Sequence, residues 1–324
     1  MKKHLVILFT SILFHASVSG QPCLPGGITF SNQAAIDSFQ NNYPNCSEIE
    51  GNVSITGNDI KNLLGLNYLT KINGDLSIYV TDSLVNLTGL NGITSIGGAL
   101  TLSSNLQLTN LIGLNGVKSI GSYMIVLYHH NLIDFSGLDS LTTIGGNLEV
   151  IINWGIESLN GLERLVSIGG NLFINYNSIL QNLSGLSSLK AIDGYIAVRG
   201  NWELSSLSGL DSINPGSITD LSIENNTLLS TCDVYSICSY LANPNGSISI
   251  QDNSVGCNSQ SQVVEECEIM SISGKDSSEK FIIAYPNPCQ DHFTFVPSIN
   301  EYFTELQIYC STGERMDNWS ALSK

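Results

Sequence analysis

A Gly-Leu pair recurs through the middle of this chain at a constant interval of 24 residues. The glycines of the pairs are Gly65, Gly89, Gly113, Gly137, Gly161, Gly185 and Gly209. A repeat that keeps its spacing without one insertion predicts a solenoid, in which each unit packs only against the units before and after it. The middle of the chain is therefore expected to fold as a stack rather than around one central core.

Two apolar periods follow each other within one unit. The apolar positions of a typical unit are Leu84, Leu87, Leu90, Ile93, Ile96, Leu100 and Leu102. The first five come at every third residue, which favours a 3₁₀ or polyproline-like path. Gly97-Gly98 then allows a tight turn. The last two alternate with polar Thr101 and Ser103, the period of a half-buried strand.

The strand period recurs in nine successive units. The buried pairs are Val53/Ile55, Leu76/Ile78, Leu100/Leu102, Met124/Val126, Leu148/Val150, Leu172/Ile174, Ile196/Val198, Leu221/Ile223 and Ile248/Ile250. Parallel strands stacked at ~4.8 Å would form a sheet roughly 40 Å long. The fold class predicted is all-β.

Asparagine closes most of these strands. The residues are Asn58, Asn105, Asn153, Asn177, Asn201, Asn226 and Asn253, with Thr81 and His129 in the equivalent place of two units. One interpretation is a row that binds ice or glycan. The other, which we favour, is a stacked amide ladder that satisfies the backbone of the turns.

The first twenty residues predict export. Residues 1–20 combine a basic start, an apolar stretch from Leu5 to Phe14 and a small-residue site before Gln21, as in a Sec signal peptide. The apolar stretch is too short for a membrane span, and no second one follows. We therefore expect a secreted or cell-surface protein with no transmembrane segment and no lipid anchor.

The charge balance restricts the partners. Asp and Glu outnumber Lys and Arg by 28 to 12, which gives a net charge of −16. Nucleic acids are disfavoured as ligands because phosphate binding needs clustered cations, and anionic membrane surfaces are disfavoured for the same reason.

Eight cysteines fit an oxidising compartment. We expect a disulfide between Cys23 and Cys46 that seals the first unit. The four cysteines near the end of the repeats allow three connectivities. A helical segment over 233–241 would carry the first two, with the others after the last strand, so bridges across these elements would cover the open end of the core. The pairs favoured are Cys232–Cys257 and Cys238–Cys267.

Residues 46–55, CSEIEGNVSI, resemble the opening of the receptor L domain. The Leu-x-Gly-Leu and Ile-Gly-Gly turns are similar to those of that family over about 46–267. The resemblance implies a right-handed parallel β-helix, or solenoid, of 24-residue turns over 21–267. Caps at 21–50 and 228–267 carry the disulfides. The furin-like module, membrane span and kinase of the receptors have no counterpart here, so receptor signalling is not implied.

The C-terminal part resembles a second family. A Ser-rich linker over 268–280 precedes Tyr285-Pro286-Asn287-Pro288 and two strand-like runs, as in the C-terminal sorting domain of type IX secretion. That resemblance implies a small β-sandwich that uses the type IX export machinery to cross the outer membrane. The family continues for further strands, so we expect 281–324 to form only a partial sorting domain.

The sequence carries no familiar catalytic pattern. It contains no Gly-x-Ser-x-Gly elbow, no His-Glu-x-x-His and no phosphate-binding loop. His129-His130 is interpreted as a turn or surface pair because no third metal ligand lies nearby. We predict no cofactor, no metal and no enzyme activity. A carbohydrate-active β-helix enzyme remains an alternative, although the charged residues of the middle units are scattered over different faces: Glu149, Glu163, Arg164 and Arg199.

Outward strand positions of the middle units are apolar and aromatic, whereas those of the outer units are small and polar. The predicted binding residues are Tyr123, Ile125, Leu127, Ile151, Phe173, Tyr176, Tyr195, Arg199 and Trp202, with Tyr128 and Trp154 also at strand ends. Such residues on one solvated face mark interaction sites. We expect a surface binding or adhesion module whose partner is a protein or glycan at the cell surface. The alternatives are a structural surface-layer protein, or a face covered by the tail, a loop or a second copy.

Overall fold

The computed structural model describes residues 21–271. The predicted signal peptide at 1–20 and the predicted sorting domain at 281–324 lie outside these residues. The described strands, in chain order, are β1 (Gln21–Cys23), β2 (Ile28–Phe30), β3 (Cys46–Ile49), β4 (Val53–Ile55), β5 (Lys71–Ile72), β6 (Leu76–Tyr79), β7 (Ser95–Ile96), β8 (Leu100–Ser103), β9 (Ser119–Ile120), β10 (Met124–Leu127), β11 (Thr143–Ile144), β12 (Leu148–Ile151), β13 (Ser167–Ile168), β14 (Leu172–Asn175), β15 (Ala191–Ile192), β16 (Gly194–Arg199), β17 (Ile218–Glu224) and β18 (Ile248–Gln251). All of their pairings are parallel, in two sheets.

The larger sheet, sheet B, has ten strands in the order β18-β17-β16-β14-β12-β10-β8-β6-β4-β2. Nine of them contain the pairs predicted from the sequence, and all but Ile248 in those pairs are buried. Equivalent residues of successive units pair with each other: Met124 pairs with Leu148, and Leu148 pairs with Leu172. The tenth strand, β2, pairs with β4 and was not predicted. A parallel solenoid of stacked strands is therefore the observed architecture.

The smaller sheet, sheet A, was also missing from the sequence prediction. Its eight strands follow the order β1-β3-β5-β7-β9-β11-β13-β15. The strands of sheet A from β5 to β15 have only two residues each, such as Ser95–Ile96, and one of the two is buried. Two residues are too few to show an alternating pattern, and this explains the omission.

The stretch with an apolar residue at every third position forms the remaining wall of the core. Leu84, Leu87 and Leu90 are at most 1% exposed, and their counterparts in other units are equally buried. Most of this wall consists of turns, with short 3₁₀ helices only at Leu64–Leu66 and Ser184–Leu186 among these units of the described chain. A further 3₁₀ helix lies at Pro215–Ser217.

Both ends of the stack are capped. At the start, helices α1 (Gln33–Asp37) and α2 (Phe39–Asn42) pack near β2, where the rings of Phe30 and Phe39 meet edge to face at 5.5 Å. At the end lie α3 (Tyr235–Ala242) and α4 (Gln260–Ser271). Helix α4 runs into the segment that the sequence had assigned to a linker.

Three disulfides hold the caps, in the pairs favoured from the sequence. They are Cys23–Cys46, Cys232–Cys257 and Cys238–Cys267. Cys232 lies before α3 rather than on it, so the helical segment expected over 233–241 begins later than predicted. Within residues 21–271, no helix is both long and apolar enough to span a bilayer.

Candidate binding surface

The outward side chains of β10, β12, β14 and β16 form a surface that we call the outer face. Parallel register places equivalent residues of successive strands side by side. One row reads Thr101, Ile125, Glu149, Phe173 and Ala197, and the next reads Ser103, Leu127, Ile151, Asn175 and Arg199. The apolar members of these rows are half-buried, apart from the fully buried Ala197, and their neighbours on β8 are small and polar.

Three side chains on β14 and β16 are fixed against one another. The ring of Phe173 meets that of Tyr195 edge to face at 5.8 Å, and the guanidinium of Arg199 lies 5.6 Å from the centroid of the Tyr195 ring. Arg199 also donates a hydrogen bond to the hydroxyl of Tyr195. These contacts order the cluster before any ligand arrives, which lowers the entropic cost of binding.

Polar contacts extend the cluster onto β17. The Nε of Arg199 donates to the hydroxyl of Ser222 at 2.7 Å and lies 3.6 Å from a carboxylate oxygen of Glu224. Hydrogen bonds from Ser249 and Ser222, together with the Arg199 charge, hold the pKa of Glu224 below its usual value. Ser222 is only 1% exposed. Its side chain is enclosed by its hydrogen-bond partners, Arg199 and Glu224, rather than freely solvated.

The asparagine row beside the outer face is a buried ladder. The residues Thr81, Asn105, His129, Asn153, Asn177, Asn201 and Asn226 are 0% exposed. Each amide also reaches a strand carbonyl, as Asn177 does to Val150 at 2.9 Å, while Asn153 donates to the Asn177 oxygen at 3.0 Å. The structural interpretation is confirmed for these residues and for the partly exposed Asn253, which accepts from Asn226 at 3.0 Å and donates to the carbonyl of Ile223 at 2.7 Å, whereas Asn58 is exposed.

His129 takes one position of this ladder and is not a surface residue. Its Nδ1 lies 3.2 Å from the oxygen of Asn153, so Nδ1 carries the proton, and Nε2 accepts from the amide of Asn105 at 3.3 Å. Burial lowers the pKa of His129 to about 4, with a smaller contribution from the nearby charge of His130. The surface alternative was thus wrong for the buried His129, which lies just after β10 at a ladder position, and it holds for the exposed His130, whose ring meets that of Trp154 at 4.4 Å.

The residue before each ladder position has a left-handed backbone. The series comprises Val80, Ser104, Tyr128, Ile152, Tyr176, Gly200, Asn225 and Asp252, with φ between 52° and 65°. Left-handed geometry costs an ordinary residue about 1–2 kcal/mol, and a β-branched or bulky residue is rare there. Glycine, asparagine and aspartate suit it, but the middle units carry Tyr128, Ile152 and Tyr176 instead.

Replacement of Ile152 by asparagine is expected to stabilise the fold by up to about 1 kcal/mol, because asparagine tolerates left-handed geometry. Urea denaturation of both proteins measures the change. The matched variant is Asn225→Ile, at the equivalent place in another unit, which should lose a similar amount. If Ile152→Asn were less stable than the native protein, the contacts of the isoleucine side chain would outweigh backbone strain at this position.

Exposed aromatic residues lie beside the asparagine ladder, along the edge of sheet B at which its strands end. We call Tyr128, Ile152, Trp154, Tyr176 and Trp202 the edge strip. Its aromatic members are 42%, 45%, 52% and 53% exposed in chain order. The ring of Tyr176 covers Gly200 so closely that a Cβ there would lie 2.5 Å from it.

Eight of the nine predicted binding residues therefore fall into two groups. Ile125, Leu127, Ile151, Phe173, Tyr195 and Arg199 lie on the outer face, and Tyr176 and Trp202 lie on the edge strip. Tyr123 precedes β10 and lies three units from Tyr195, about 14 Å along the stack. The sequence reasoning missed Ile152, although an apolar residue directly after a strand, where other units have Asn or Asp, is a usable signal.

Within residues 21–271, no group of three or more His, Cys, Asp or Glu side chains could hold a metal ion. No model of a known protein family matches the chain. A search of curated proteins found none similar to it.

Proposed function

We propose that this chain is an exported, non-catalytic binding or adhesion module whose ligand, a protein or a glycan at a cell surface, docks on the outer face of sheet B. The observation that carries the proposal is the row of apolar and aromatic side chains on β10, β12, β14 and β16, set among small polar residues of neighbouring strands. Apolar groups concentrated on one solvated face are typical of interaction sites.

The preformed cluster of Phe173, Tyr195 and Arg199 supports the same interpretation. Tyrosine and arginine are enriched among residues that dominate binding energy, and here their geometry is fixed without a ligand. Because Arg199 is paired with Glu224, the cluster has little net charge. It suits a ligand with apolar groups and hydrogen-bond acceptors better than a highly charged one.

Export is supported by the disulfides. Three bridges in one chain are typical of proteins that fold in an oxidising compartment. We further propose the right-handed winding and 24-residue turn of the receptor L domain, with which the pairing of Met124 and Leu148 agrees. Use of the type IX machinery by 281–324 is part of the proposal and rests on the sequence resemblance alone.

The double variant Phe173→Ser, Tyr195→Ser tests the outer face. Purified oxidised protein would be incubated with isolated cell envelopes and with arrays of extracellular proteins and glycans, and the bound fraction measured. We expect binding by the native protein and at least about a tenfold loss in the variant, since truncation of central aromatic anchors costs about 2 kcal/mol or more.

The control is the double variant Tyr68→Ser, Ile112→Ser. It removes two exposed apolar side chains that lie outside sheet B and should bind like the native protein. Melting curves establish that both variants are folded. Unchanged binding by a folded outer-face variant would rule this face out, and a native protein that binds nothing would contradict the proposed function itself.

A further inference from the structure

The edge strip places one exposed aromatic ring in each of four successive units. Tyr128 and Tyr176 occupy the left-handed position, and Trp154 and Trp202 lie two residues further along in the alternate units. With ~4.8 Å between units, the four rings span about 14 Å parallel to the axis of the stack. A ligand that contacts all of them must therefore be elongated and must lie along that axis.

Packing of the fold does not account for these residues. Left-handed backbone is strained for residues other than glycine, asparagine and aspartate, and five successive units carry such a residue there, Val80 and Ser104 before the three strip residues, while Asn225 and Asp252 in later units avoid the strain. The two tyrosines gain little compensating burial, since Tyr128 and Tyr176 remain 42% and 52% exposed, whereas Ile152 is half-buried. Strained backbone of this kind clusters at functional and ligand-binding sites.

The ladder under the strip makes it a rigid platform. The ladder residues here are the sequence neighbours of the strip residues: Asn153, Asn177 and Asn201. They are buried, and each is hydrogen-bonded to the next unit. The ring of Trp154 is also supported by His130 at 4.4 Å, and that of Tyr176 by the backbone of Gly200. The rings are thus held in place on a regular spacing and need little reordering on binding.

Charge restricts the class of ligand. The five strip residues are uncharged, the exposed residue next to Trp202 is the acidic Glu203, and the whole chain carries a net charge of −16. Polysaccharides rich in carboxylate or sulfate would be repelled. An uncharged chain of sugars fits, because the C–H faces of its rings pack on aromatic rings while the Tyr hydroxyls and Trp N–H groups bond to its hydroxyls.

We propose that the edge strip binds a neutral, linear glycan that lies along the axis of the solenoid. This inference deepens the proposed function and rests on it: the strip would supply glycan recognition beside the outer face. The ligand spans several sugar units, since a single sugar could reach only one or two of the rings.

The test measures retention of the oxidised full-length protein on insoluble cellulose, chitin, curdlan and mannan, with alginate and heparin matrices as acidic comparisons. We expect retention on at least one neutral polysaccharide and competition by its soluble oligosaccharides. The variant Trp154→Ala, Trp202→Ala should bind that polysaccharide at least tenfold more weakly, while Tyr68→Ala, which removes an exposed aromatic ring elsewhere, should bind like the native protein.

A second variant separates binding from folding. Tyr176→Asn relieves the left-handed strain, so its melting temperature should equal or exceed that of the native protein while glycan retention falls. If both the glycan retention and the melting temperature fall, Tyr176 has a structural role and the inference is overturned.

Other results would also overturn it. They are no retention on any neutral polysaccharide, retention only on alginate or heparin, and equal retention by the double tryptophan variant. Attachment to cell envelopes that is lost after protease treatment, with no retention on any polysaccharide, would assign the strip to a protein partner instead. If the strip variants behave like the native protein while Phe173→Ser, Tyr195→Ser loses envelope attachment, the proposed function stands and only the glycan site fails.

Discussion

Replacement of Gly113 by valine is expected to destabilise the protein by several kcal/mol, enough to abolish its cooperative unfolding transition at 37 °C. Gly113 has a φ of +124°, which a β-branched residue does not adopt. A Cβ at this position would also overlap the carbonyl carbon and oxygen of Leu87 in the preceding unit. Neither conflict can be relieved by a side-chain rotation, because both involve backbone.

The recurrence of this contact makes the effect large. A Cβ at Gly89 would overlap the carbonyl of Leu63, and one at Gly137 that of Leu111. Each unit therefore packs its backbone directly on the one before it, and a displacement at one unit must propagate or break the stack. Denaturant unfolding followed by circular dichroism measures the loss.

Two comparison variants distinguish the effect of a buried substitution from that of a surface substitution. Leu138→Asp buries an unpaired charge at a position that is 0% exposed and should be as damaging as Gly113→Val. Ser103→Asp lies on the outward side of β8 and should cost under about 1 kcal/mol. Similar losses for Ser103→Asp and Gly113→Val would contradict the assignment of inside and outside.

Acid is expected to remove about 3 kcal/mol of stability through His129 alone between pH 6.5 and pH 4. The pKa of His129 is lowered in the folded protein from 6.5 to about 4, so in this window the unfolded chain binds a proton that the folded chain does not. The contribution of His129 to stability is therefore fully present above pH 6.5 and is lost as the pH falls from 6.5 to 4. Below pH 4 this residue causes no further loss. Protonation is unfavourable because Nε2 faces the amide donor of Asn105 in a buried site.

The variant His129→Asn isolates this effect. Asparagine is the residue of most other units at this position, and it carries no titrating group, so the difference in stability between variant and native protein should grow steadily as the pH falls from 6.5 to 4. Urea denaturation at a series of pH values provides the measurement. Depressed carboxyl pKa values such as that of Glu224 act at lower pH and are common to both proteins.

His130→Asn is the matched control, since His130 is exposed and adjacent in sequence. It should retain nearly all of the native pH dependence, apart from the small effect of losing its charge near His129. A native protein whose stability is flat between pH 6.5 and 4, or a His130→Asn variant that removes the slope, would contradict the buried neutral state of His129.

Much of the solenoid could be predicted because its determinants are local and repeated. The alternation at Leu100 and Leu102 identifies a strand, and the constant spacing of the glycines gives the register between strands. The cysteine pairs followed from the need to cover the ends of the stack. Sheet A could not be predicted, because strands of two residues such as Ser95–Ile96 have no period of their own and form only when the stack aligns them.

The sequence predicted most residues of the candidate site but not their division into the outer face and the edge strip. Alternation correctly placed Ile125 and Phe173 on the outward side of sheet B. Left-handed backbone at Tyr128, Ile152 and Tyr176 is not indicated by the residue types themselves, since tyrosine and isoleucine both normally avoid it. The burial of His129 was missed for a related reason: neighbouring residues at a strand end do not alternate as they do within a strand.

The most direct test of a binding surface on sheet B is hydroxyl-radical footprinting of the oxidised protein with and without the envelope fraction or glycan to which it attaches. We expect protection of Phe173 and Tyr195 on the outer face and of Trp154, Tyr176 and Trp202 on the edge strip, with no change at Tyr68. Protection centred on Tyr68 and Ile112, with the outer face and edge strip oxidised as in the free protein, would contradict that location.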